Sequence, residues 1–151
     1  MDIFYKILLG LAAIFAIYWI FKTKKLIPAL ISLGMIVGIF MVIFPALSIV
    51  MPGFYIYLGF VVLAFIYGIT TKSKSVGERI VICVMSASIF LYWLWVLNHW
   101  HGNEFLALVL VVLTALVGLI SKAKLNDETG FLAIILVDAI ARILEVMIKS
   151  I

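Results

Sequence analysis

Six apolar runs, each close to one bilayer thickness of helix, leave this chain little choice of fold. They are Ile3–Phe21, Leu26–Phe44, Phe54–Thr70, Ile80–Leu97, Phe105–Ile120 and Gly130–Ile151. At about 1.5 Å of rise per residue they approach the ~30 Å hydrocarbon core as helices, and a helix satisfies its own backbone in lipid. Only 12% of the 151 residues are charged, against roughly a quarter in soluble domains, so no solvated shell can be built. The reading is an all-α polytopic transmembrane helix bundle: one domain over residues 1–151, six helices as three antiparallel hairpins. Five spans plus an interfacial C-terminal helix is the alternative.

The runs are punctuated by three Lys-x-Lys turns at an interval of 50 residues: Lys22-Thr23-Lys24, Lys72-Ser73-Lys74 and Lys122-Ala123-Lys124. Turns after runs one, three and five carry Lys22, Lys24, Lys25, Lys72, Lys74, Arg79, Lys122 and Lys124. Those after runs two and four carry no Lys or Arg. For short loops this bias sets orientation, with the basic turns cytoplasmic and both termini outside if all six runs span. The expected location is a cytoplasmic (inner) membrane of bacterial type. The net charge of +4 then reflects loop bias and anionic-headgroup contact, not nucleic acid. The same interval is only weak evidence of a duplication. Matches such as Tyr5/Tyr55 and Phe15/Phe65 are close to background in so biased an alphabet. Run one reads as a retained span, since its basic n-region is weak and no small-x-small cleavage site follows.

Several features read as packing or interface. Pro28 stands in the first turn of its run, where a missing N–H is harmless. Gly34 and Gly38 make a small-xxx-small face, and Cys83 is a packing residue. Pro45 to Gly53 reads as an uncharged turn. Tyr92, Trp93, Trp95 and Trp100 read as an interfacial aromatic belt, with a ligand cage as the sharper alternative. Glu78-Arg79 and Asn126-Asp127-Glu128 read as polar residues at helix starts. His99, His101 and Glu104 are a weak metal candidate, because a short turn supplies no further fixed ligand.

The last run breaks the apolar rule. Asp138, Arg142, Glu145 and Lys149 recur at spacings of 4, 3 and 4, which puts them on one helical face with alternating sign. Ionisable groups at membrane depth are costly and face a bundle interior, a partner or water. Three readings follow: a self-neutralising ladder packed on another subunit, a polar pathway with Asp138 as its deepest acid, or a wet stripe on an interfacial helix. No nucleophile motif, phosphate loop or histidine at membrane depth is present, so neither catalysis nor a cofactor such as haem is expected. The expected function is a non-enzymatic membrane subunit, in a homo-oligomer or a larger complex, assembling through run six with lipid as its other partner. A small oligomeric channel or transporter lined by the charged helix is the alternative, and a membrane immunity protein against a pore-forming toxin the third.

Overall fold

The computed structural model describes residues 3–44, 50–99, 103 and 105–149, the side chain of residue 149 excepted. Among them the chain is helical throughout, in six elements: α1 (Ile3–Ile20), α2 (Leu26–Ile43), α3 (Val50–Thr70), α4 (Val76–Leu97), α5 (Phe105–Ile120) and α6 (Thr129–Lys149). Helices α1 to α4 are long and apolar enough to cross a membrane, while α5 is an apolar helix of 16 residues. Helix α6 has 21 residues but carries Asp138, Arg142 and Glu145 in its length.

Two boundaries differ from the sequence reading, for local reasons. Helix α3 starts at Val50, so Pro52 and Gly53 lie in its first turn instead of in the preceding loop. First-turn N–H groups have no intrahelical acceptor, so a proline there costs no hydrogen bond. Helix α4 starts at Val76 because Ser75 closes a capping box. The Glu78 N–H donates to Ser75 Oγ at 3.3 Å, and the Ser75 N–H donates to Glu78 Oε2 at 2.9 Å. Two orphan donors are thereby satisfied before the apolar run begins.

Packing brings α2 and α3 into backbone contact. A Cβ on Gly38 would lie 2.8 Å from the Tyr57 nitrogen, and one on Gly53 would lie 2.9 Å from the Gly38 carbonyl oxygen. Only glycine permits that approach, which is how small residues bind helices together where no hydrophobic force separates protein from lipid. Helix α6 packs against α1, α2, α4 and α5. Its Phe131, Ile134, Ile135, Ala139 and Ala141 are all buried, with Asp138 among them. It is therefore no surface helix with a wet stripe: its ionisable face turns into the bundle.

The three basic turns meet. Trp19 Nε1 donates to the Asn126 carbonyl at 2.5 Å, and the Lys24 N–H to Asp127 Oδ1 at 3.1 Å, joining the first turn to the third. Lys25 Nζ donates to Ser73 Oγ at 3.0 Å, joining the first to the second. The Lys124 N–H donates to Glu78 Oε1 at 2.8 Å, tying the third turn to the start of α4. Arg79 reaches back to the Gly68 and Ile69 carbonyls, covering acceptors that the last turn of α3 leaves free.

Candidate functional site

Asp138 lies halfway along α6 and is 1% exposed. Three donors from three other helices converge on it. Tyr5 of α1 donates to Oδ1 at 2.7 Å; Tyr57 of α3 and Trp93 of α4 donate to Oδ2 at 2.9 and 2.8 Å. Both carboxyl oxygens are thus engaged by side chains of neighbouring helices. Trp93 is held in place by Phe54, ring centroids 4.7 Å apart, and by Tyr92, edge-on at 5.5 Å. Beside the carboxyl lies a cavity of about 10 Å³, bounded also by Leu9, Ile39 and Val42.

One turn further along α6, the Arg142 guanidinium lies over the Tyr5 ring at 3.9 Å from its centroid and over the Trp93 ring at 4.8 Å. The same rings whose polar atoms bind Asp138 offer their faces to Arg142, a cation–π arrangement that strengthens as water is excluded. Arg142 Nη1 pairs with Glu145 Oε2 at 2.6 Å. The expected i,i+3 rung therefore forms. The expected i,i+4 rung does not: among the described residues, Asp138 bonds to aromatic donors on neighbouring helices instead of to Arg142. The reason is geometric. Those helices surround the α6 face, so its acid is met by donors already fixed across the interface.

A second polar cluster lies at the end with the basic turns. Glu128 is fully buried, accepts from Tyr67 OH at 2.7 Å and forms an ion pair with Lys74 Nζ at 2.9 Å. Continued backwards, the spacing of the charged stripe reads Glu128, Phe131, Ile135, Asp138, Arg142 and Glu145, so the two polar clusters share one face. Phe131, Ile134 and Ile135, none of them exposed, separate them as an apolar layer.

Sequence reasoning picked out Asp138, Arg142 and Glu145, and the structure brings them together. It missed Tyr5, Tyr57 and Glu128. It also read Tyr92 and Trp93 as interfacial, whereas both are buried in the bundle; Trp93 there finds Asp138 as its acceptor, and Tyr92 packs edge-on against Trp93. The two tyrosines are not related by the 50-residue interval, since the counterpart of Tyr5 is Tyr55, which is exposed. Trp100, His101, Glu104 and the Lys149 side chain lie outside the described residues. His99 ends α4 in the left-handed region at φ 50°. Among the described residues, no three His, Cys, Asp or Glu side chains converge on a point that could hold a metal ion. Compared with protein-family models, curated proteins and solved structures, the chain matches none.

Proposed function

We propose that this chain is a non-enzymatic integral membrane protein whose buried α6 acid is a proton-binding site, in the class of small proton channels or proton-coupled transporters. In this reading all six helices cross a bacterial inner membrane as three antiparallel hairpins, with the meeting Lys-rich turns on the cytoplasmic side. Helix α6, 21 residues, is then about 31 Å long and puts Asp138 near mid-membrane, about 15 Å from Glu128. The observation that carries the proposal is the Asp138 cage: an intramembrane acid inside one chain, with a cavity of about 10 Å³ beside it. That is about the lower limit for a single water.

The donor chemistry supports reversible protonation. A tyrosine hydroxyl can turn from donor to acceptor, whereas an indole N–H only donates. A proton arriving on Asp138 is therefore accommodated by reversal of Tyr5 or Tyr57, while Trp93 keeps the side chain in place. The Arg142 cation, one turn further along α6 and itself paired with Glu145, stands next to the acid on the side away from the Lys-rich turns. The apolar layer of Phe131 and Ile135 makes this the state closed towards the Lys-rich end. The test is proton flux into proteoliposomes containing a pH-sensitive dye, driven by a potassium diffusion potential. Wild type should exceed empty vesicles, Asp138→Asn should fall to the empty-vesicle rate, and Tyr57→Phe should be slowed. Silent, correctly folded wild type, or undiminished flux through Asp138→Asn, overturns the reading.

A second reading, a subunit of a homo-oligomer or larger complex (a toxin-binding immunity protein included), is favoured by α5. Its 16 residues reach only about 24 Å, short of the hydrocarbon core, and oligomerisation is one response to such mismatch. Leu106, Leu113 and Val117 make its outer face apolar and exposed. Assembly in this form uses α5, because the α6 stripe is consumed inside the bundle.

A further inference from the structure

The outer face shared by α2 and α3 carries a groove of about 660 Å³. It runs from Ile27 and Thr70, beside the first two basic turns, to Val37 and Ile56 at mid-helix. The ten helical steps of α2 from Ile27 to Val37 cover about 15 Å, the depth of one leaflet of a ~30 Å core. Midway along the groove, the Phe60 ring of α3 packs directly on the α2 backbone at Gly34, where any Cβ would strike it, and both residues line the groove. Its walls are almost wholly aliphatic or aromatic. Its mouth is not. Lys25 Nζ bonds to Ser73 Oγ at 3.0 Å and so bridges the two turns across that end, its side chain 40% exposed. Lys72 stands exposed two residues beyond Thr70, and Lys25 forms a long ion pair with Asp127 at 3.9 Å.

We propose that this groove binds an anionic diacyl phospholipid, one acyl chain along α2 and α3 and the phosphate against Lys25 and Lys72. The inference rests on α2 and α3 crossing the membrane and is independent of any role for Asp138. Charge decides the occupant. A basic mouth at headgroup level on a chain-wide apolar slot is complementary to a lipid with a negative head and a hydrocarbon tail, and basic residues near the surface attract such lipids. A second copy seated in the same orientation would instead bring its own Lys25 and Lys72 against these.

The test is native mass spectrometry of protein purified in detergent with equimolar phosphatidylglycerol and phosphatidylcholine. Two lysines near the surface predict roughly tenfold or greater preference for one retained phosphatidylglycerol. The Lys25→Gln/Lys72→Gln variant should bring the ratio of the two lipids towards one. A Val37→Trp/Leu63→Trp variant, altered at two outward-facing groove positions, should lose the adduct with an unchanged melting temperature. If that variant does not purify monodisperse, the glutamine variant decides alone. Equal retention of both lipids by wild type, a preference indifferent to the lysines, or an adduct unaffected by the tryptophans overturns the site. So does a dimer that the tryptophans abolish, which would assign the groove to a second copy.

Discussion

Asp138 shows how much a single residue can draw from its surroundings. Its oxygens are met by Tyr5, Tyr57 and Trp93, so each partner removed leaves a buried carboxyl group with fewer donors. Interhelical hydrogen bonds within bilayers average about 0.6 kcal/mol and reach about 2. Tyr57→Phe should therefore destabilise the bundle by about 1 kcal/mol, read by denaturant unfolding in mixed micelles. Asp138→Leu should cost several times more, because it strands three buried donors at about 1–3 kcal/mol each. A leucine variant as stable as wild type would remove Asp138 from the structural account. The acid itself was legible, since a carboxyl inside an apolar run has few explanations. Its donors were not: they lie 133, 81 and 45 residues away. Nothing in a tyrosine inside an apolar run marks it as a partner of α6.

At the scale of the element, the helices are held by devices of different legibility. Gly34 and Gly38 were visible as a small-xxx-small pair, but the backbone contact of Gly38 with Gly53 and Tyr57 needed the helix to start before Pro52. Gly38→Ala should overpack this crossing and cost about 1–3 kcal/mol in the same unfolding assay. An unchanged midpoint would mean that α2 and α3 can separate without loss. Ser75→Ala should cost about 1 kcal/mol through loss of the capping box. Glu128 reads in sequence as a helix-start acid, and only the fold buries it against Lys74 and Tyr67. Lys74→Met leaves that carboxylate without its cation and should cost about 3–5 kcal/mol, largely recovered when Glu128→Gln is added. A double-mutant cycle measures the difference, and additive losses would show the pair to be uncoupled.

At the scale of the whole molecule, the basic turns come together at one end of the bundle. Their mutual hydrogen bonds gather Lys22 to Lys25, Ser73 to Glu78 and Lys124 to Asp127 into one cap. With six spans, a reporter fused after Ile151 should lie on the opposite side of the membrane from a Lys72→Cys label introduced into a Cys83→Ala background. Detection on the same side means an odd number of spans and takes Asp138 out of mid-membrane. The apolar layer of Phe131, Ile134 and Ile135 lies between the end formed by the basic turns and the part of the bundle that holds Asp138. Two polar clusters on one α6 face, with that layer between them, form the framework in which proton movement is proposed.

The sequence by itself determined class and punctuation: apolar runs of bilayer length force helices, and their few charges, placed between runs, fix the turns. It also isolated α6, because a charge inside an apolar run is costly enough to stand out from composition alone. What only the tertiary structure decided is where that cost is met. Helix periodicity put Asp138, Arg142 and Glu145 on one face but is silent on what the face meets. Packing turned it inward, exchanged an intrahelical rung for three donors on α1, α3 and α4, and laid Arg142 on the rings of two of them. Periodicity is a property of neighbours along the chain, and a hydrogen bond between helices is not.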